Sequence, residues 1–239
     1  MENPYQSSAT SAGAVAPLRS SAYFKNPRLL TVTTRIFLCL GVLVSLGAGA
    51  LALTELSLME EYSPTDSLDD VYDDLIIPTL LLGLTQFATG IGTIVIIAMW
   101  VYRMAWNARY FAGARNMDYT PGWAVGWYFI PFANLWKPYQ AMKEIWRASD
   151  EPARMNQIPV PFWLPLWWCL WLVTNILSNV STRLTFRADD ISEGMLANQA
   201  SLLAEAVNIP LCLVFLLIVN RLSRMQWHQQ SLRQVQAVA

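Results

Sequence analysis

Charge is scarce in this chain: 14% of its 239 residues are Asp, Glu, Lys or Arg, where a soluble domain carries about a quarter. So few charges do not make an ordinary water-facing surface, and lipid is the solvent they point to. Histidine is nearly missing. His228 stands alone, which excludes a multi-histidine metal centre and leaves any Ser-His pair dependent on a residue in a basic C-terminal stretch. The three cysteines, Cys39, Cys169 and Cys212, each sit in an apolar run with no second ligand at metal spacing, so they read as small core residues. Net charge is −1 and gives no argument for a nucleic acid partner. Gly90-Ile-Gly92 has neither a third glycine nor a preceding strand, so it belongs to helix packing and not to a nucleotide loop. No metal or cofactor is expected.

What the chain has in quantity is apolar sequence and tryptophan: 54% of its residues are hydrophobic and eleven are Trp. Crossing a hydrocarbon core takes about 20 consecutive apolar residues as helix. Runs from about Leu29 to Leu53, Leu75 to Tyr102, Phe162 to Val180 and Leu202 to Asn220 meet that need. The expected fold is all-α: a polytopic membrane protein with four transmembrane helices and a cytoplasmic re-entrant or interfacial helical hairpin. Residues 1–27, rich in Ser, Ala and Pro, read as a disordered cytoplasmic arm. Residues 28–222 form the membrane domain and 223–239 a cytoplasmic tail. Ala48-Gly49-Ala50 resembles a cleavage site, but the long preceding arm favours a retained span. Gly41, Ser45 and Gly49 make a small-residue stripe along the first span, where another helix can approach closely.

Orientation follows from where the few charges lie. Glu55, Glu60, Glu61, Asp66, Asp69, Asp70, Asp73 and Asp74 fall in one stretch without a Lys or Arg. That stretch reads as an exported, solvated loop, and it lacks the ligand order of a calcium loop. Arg19, Lys25 and Arg28, the region from Arg103 to Arg154, and Arg221, Arg224 and Arg233 are basic, so both termini are expected in the cytoplasm. Arg183 and Arg187 weaken the rule in the last loop without reversing it.

Between the second and third spans the apolar stretch from about Gly122 to Ala133 is too short to cross. Residues 121–149 therefore read as a re-entrant or interfacial segment. Pro121 can open a short helix, Pro131 ends it and Pro138 opens the next, giving helix, bend, helix. Asn134 is expected to supply partners for the bent backbone. The motifs Tyr102-Arg-x-x-x-Asn107, Pro121-Gly-Trp-Ala-Val-Gly-Trp-Tyr-Phe-Ile-Pro131, Asn134-Leu-Trp-Lys-Pro138 and Glu144-Ile-Trp-Arg-Ala-Ser149 resemble those of the bacterial membrane proteins grouped as domain of unknown function 4328. The resemblance is dense from Tyr102 to Pro152 and loose from Leu29 to Asn220. It implies an architecture in the bacterial inner membrane, carries no activity and brings no catalytic residues.

Two sets of residues are candidates. Arg103, Asn107, Arg109, Trp123, Trp127, Asn134, Trp136, Lys137, Glu144 and Arg147 gather cations, amides and rings at headgroup depth, suited to a lipid phosphate or another anion. The same set also suits anchoring the hairpin, with Glu144 pairing to Arg147 or Arg103. Gln86, Asn175, Asn179, Glu205 and Asn208 lie within spans. Glu205 fits a proton or cation path, or a pairing with Arg183 near the outer end, and the amides fit interhelical glue. The expected function is a non-enzymatic scaffold or interaction subunit contacting membrane lipids or a partner membrane protein, with self-association to thicken a thin bundle. The alternative is a small oligomeric carrier or channel, and the third is an intramembrane enzyme.

Overall fold

The computed structural model describes residues 23–63 and 75–238, and every long element among them is helical. Four helices dominate: α1 (Arg28–Met59), α2 (Ile76–Ala112), α5 (Trp163–Thr185) and α6 (Ile191–Val238). The short α3 (Pro121–Gly126) and α4 (Lys137–Asp150) lie between α2 and α5. Asp66, Asp69, Asp70, Asp73 and Asp74 of the acidic stretch lie outside the described residues, as does the arm up to residue 22.

Three helices, α1, α2 and α6, are long and apolar enough to cross a membrane. None of the most apolar stretch of α2 is buried inside the protein; a row of exposed Ile, Leu and Phe such as Ile77, Leu84 and Phe87 needs lipid around it. α5 has the length, 23 residues or about 34 Å of helix, but Trp163, Trp167, Trp168 and Trp171 together with Asn175 and Asn179 make it less apolar than the others. Of the four spans expected, three are thus helices both long and apolar enough to cross a membrane.

Two helices overrun the expected spans because polar residues continue them. α2 runs ten residues past Tyr102, to Ala112, and α6 runs unbroken to Val238 through what reads from sequence as a cytoplasmic tail. Their extensions pack on each other and on α4, burying Trp100, Met104, Ala108, Ile145, Ile218 and Leu222 in the main core. Residues 23–27 join this core instead of ending a loose arm: the Phe24 ring lies 5.9 Å from Phe111 and 5.5 Å from Trp227.

Along the bundle, α1 packs against both α2 and α6, and α6 against α5, while no comparable packing joins α2 to α5. The four helices therefore make an open arc with a lengthwise gap. The small-residue stripe of α1 faces α6: a Cβ on Gly41 would lie 3.7 Å from Cys212 Sγ, and one on Gly49 4.0 Å from Leu202. On its other side α1 meets α2 at Gly92, where a Cβ would collide with the Phe37 ring. Close backbone approach at both seams is what small residues permit.

The hairpin forms as its prolines dictate. Thr120 caps α3, its Oγ1 accepting from the Trp123 N–H at 3.3 Å, with Pro121 in the first turn. A 3-10 turn over Trp127–Phe129 leads to Pro131, another covers Ala133–Leu135, and α4 follows with Pro138 in its first turn. The bend satisfies its own backbone, with the Asn134 N–H donating to Ile130 O at 2.8 Å and the Trp168 indole donating to Leu135 O at 3.0 Å. The Asn134 side chain, expected in that role, leaves its Oδ1 buried without a protein partner.

Candidate functional sites at the two ends of the bundle

The basic end holds the first candidate set, and most of it is occupied with holding backbone. Arg103 donates to Asn26 O at 2.8 Å. Arg109 donates to Tyr119 O at 3.0 Å and Ala114 O at 2.9 Å, tying down the turn after α2. Asn107, 0% exposed, grips Lys25 at both backbone atoms and donates to Gln226 Oε1 at 3.0 Å. Gln226 in turn donates to Met104 O at 2.9 Å and Ser149 Oγ at 3.0 Å. Asn107 therefore does not face headgroups; it closes a buried network linking α2, α4, α6 and the entering chain, as buried polar groups require.

Glu144 pairs with neither Arg147 nor Arg103. Its Oε1 accepts from the Asp118 N–H at 2.6 Å and its Oε2 from the Tyr119 N–H at 3.1 Å. Burial pushes its carboxyl above the usual range and the nearby Asp118 carboxylate adds to this, while those two N–H groups and Arg109 pull it back. Glu144, Arg147, Lys143 and Gln140 line a polar cleft of about 430 Å³, in which Arg147 Nε has no protein partner. Outside the cleft, the rings of Trp123 and Trp127 lie 4.6 Å apart, and Lys137 Nζ stands 5.7 Å from both Trp127 and Tyr119. Trp123 and Trp136 are exposed. Of the set, those two rings and Lys137 keep an open face.

Four of the five residues of the second set, all but Asn179, divide between two cavities along the open arc. Gln86 Nε2 donates to Glu205 Oε1 at 2.8 Å, and both line a cavity of about 520 Å³ towards the acidic end. Asn208 and Asn175 line a separate, apolar cavity of about 360 Å³ nearer the basic end, floored by Val125, Tyr128 and Phe129 of the hairpin. Asn208 Nδ2 donates to Ser45 Oγ at 2.8 Å. Asn175 and Asn179 spend their amides on their own helix, on Trp171 O and Asn175 O at 2.7 Å each. Glu205 meets Gln86, with no ion pair to Arg183; among the described residues the one ion pair is the surface contact of Arg154 with Glu151.

The larger cavity also contains residues that sequence reasoning did not single out. Glu55 is buried, and its oxygens accept from Thr79 Oγ1 at 3.1 Å and Asn198 Nδ2 at 2.8 Å. Ser181 and Ser201 share a hydrogen bond of 2.6 Å between these groups and Glu205. Glu55 reads from sequence as part of the acidic loop because it adjoins it. A usable signal existed: Thr79 and Gln86 on one helix, and Asn198 and Glu205 on another, are each seven apart, two turns along one face. That signal pairs polar tiers across two helices.

The comparisons with known proteins bear on the fold and not on the chemistry. No curated protein and no solved structure matches the chain significantly. A family model described as "Domain of unknown function (DUF4328)" matches residues 75–224, which takes in α2, the hairpin, α5, both walls of the larger cavity formed by α2 and α6, and the buried Asn107. The chain therefore belongs to the DUF4328 family.

Proposed function

We propose that this chain is a four-span protein of the bacterial inner membrane, both termini cytoplasmic, that binds a small solute in the larger cavity and carries it across. One observation carries the reading: α1, α2, α5 and α6 all contribute walls to a cavity holding two carboxylates that no cation of the described residues neutralises. Ionisable groups within spanning segments are costly and mark pathways. α5 as fourth span is supported by matched depth against α6, since Trp167 stacks on Phe215 at 5.3 Å towards the basic end and Ser181 meets Ser201 towards the other. The scaffold reading has fewer cations to draw on, since Arg103 and Arg109 donate to backbone carbonyls, which leaves Lys137 and Arg147 of that set.

Alternating access is the test. In a background with Cys39, Cys169 and Cys212 replaced by Ala, a Ser201→Cys thiol should react with an impermeant maleimide from either side of the membrane, and Glu205→Gln should change the balance. Reaction strictly from one side overturns the carrier.

A lipid-contact role keeps one observation in its favour, the run of exposed rings at Trp123, Phe129, Phe132 and Trp136, with Phe132 80% exposed. Such rings favour the membrane interface. Brominated lipids should quench less of the tryptophan emission once Trp123 and Trp136 are replaced by Phe. Unchanged quenching removes that role.

A further inference from the structure

The larger cavity offers acceptors at two levels and, among the described residues, no positive charge at either. Glu55, with Thr79 and Asn198, forms one level; Glu205, with Gln86, forms the other. Seven residues separate the levels on both α2 and α6, about 10 Å at 1.5 Å per residue. Among the described residues, no Lys or Arg lines the cavity.

Hydrogen-bond donors already meet both oxygens of the first level. Glu55 accepts from the Thr79 hydroxyl at one oxygen and from the Asn198 amide at the other, bonds that a carboxylate takes at both oxygens. The orientation of Asn198 follows: its NH₂ faces Glu55, because turning the amide would set its oxygen against the carboxylate. Its Oδ1 is then left over. Asn198 is 6% exposed, lines the cavity, and has no partner for that oxygen. A buried acceptor without a donor is costly, and because this one lies beside Glu55, a donor that brings positive charge would satisfy both groups at once. Between the levels the walls are small and largely apolar, with Ala48, Leu51, Leu82, Gly83 and Ala204 around the Ser181–Ser201 pair.

We infer that the cavity binds a linear aliphatic diammonium compound, one ammonium at Glu55 and Asn198 Oδ1 and the other at Glu205. The proposal rests on the solute-binding reading above and adds the class of solute. With each ammonium nitrogen about 3 Å from its carboxylate, the two nitrogens stand roughly 5–10 Å apart, the reach of about three to seven methylenes. The alkyl chain then lies along the apolar walls, where a pair of hydrated metal ions would meet mostly Ala and Leu. The stretch joining α1 to α2 carries Asp66, Asp69, Asp70, Asp73 and Asp74 and no cation, a charge balance that concentrates cations at this end of the bundle.

The test is calorimetric titration of the full chain in detergent with diamines from 1,3-diaminopropane to 1,8-diaminooctane, with hexylamine, and with Na⁺, K⁺ and Mg²⁺. Expected are an affinity maximum within the series, at least ten-fold weaker binding of hexylamine, and no heat from the metal ions. Glu205→Gln, which leaves the level around Glu55 intact, should bring diamine and monoamine within about two-fold of each other. Asn198→Leu should weaken both. Binding of a metal ion alone, equal affinity for diamine and monoamine in the unaltered chain, or no amine binding at all overturns the inference. These outcomes are separate from the labelling test: two-sided access with no amine binding leaves the carrier and removes the diammonium ligand, and amine binding with one-sided access does the reverse.

Discussion

Asn107 shows how one polar residue can organise an end of this protein. Its amide reaches backbone 82 residues earlier and a side chain 119 residues later, so Asn107→Ala strands the Lys25 backbone groups and Gln226 Oε1 together. Each buried group left unpaired costs about 1–3 kcal/mol. The expected result is a lower unfolding midpoint in detergent and protease cleavage near residue 25 at temperatures where the unaltered chain resists. Glu144 gives a pH dependence of known sign. Its carboxyl titrates above the usual Glu range because burial favours the neutral form, so the folded state holds its proton where the unfolded chain has released it. The stability tied to this group is full below the ordinary Glu value and is lost as pH rises through the raised one. Carbon NMR of the Glu144 carboxyl should show the raised midpoint, and Glu144→Gln should flatten that part of the stability profile.

At the level of elements, glycines discriminate the closed seams from the open gap. A Cβ on Gly92 overlaps the Phe37 ring, while one on Gly83 or Gly90 meets nothing within 4 Å. Gly92→Leu is expected to separate α1 from α2 and lower the unfolding midpoint by several degrees, whereas Gly83→Leu and Gly90→Leu should leave it within a degree or two. Equal effects would mean the arc is closed. The end of α2 is fixed from two directions. Gly113 takes a φ of 88°, a conformation that favours glycine at a helix end. Arg233 from the far end of α6 donates to Tyr110 O at 3.1 Å and Phe111 O at 2.5 Å, placing a cation on the carbonyl end of the helix. Arg233→Ala should therefore free both the last turn of α2 and the last turns of α6, visible as faster amide exchange in both segments.

For the whole molecule, the parts legible from sequence are those set by local pattern. Apolar runs marked α1, α2 and the middle of α6, and Pro121, Pro131 and Pro138 marked the helix, bend and helix of the hairpin. Gly41, Ser45 and Gly49 marked the face that α6 takes. What stayed hidden depends on distant pairing: Glu55 becomes a cavity residue only because Asn198, 143 positions later, meets it, and Asn107 becomes a core residue only through Gln226. The overrun of α2 and α6 was hidden for a related reason, since polar helix surface beyond a span is stabilised by packing that no short window contains. The proposed orientation has a direct test in the same labelling background: a cysteine at Glu61 should react from outside and one at Asp150 from inside, and the opposite pattern inverts the whole reading.

α6 is a single rod of 48 residues, with the cavity residues Asn198 and Glu205 near its start and Gln226 and Arg233 near its finish. Adding or deleting one residue between Glu205 and Gln226 turns one set against the other by about 100°, which undoes either the cavity wall or the buried network. Pro210, inside the rod, relieves one hydrogen bond there but not the phase. Length variation among related chains is therefore expected in the turns around residues 113–120 and 186–190 and forbidden within this stretch, and a one-residue insertion scan of α6 would chart the boundary.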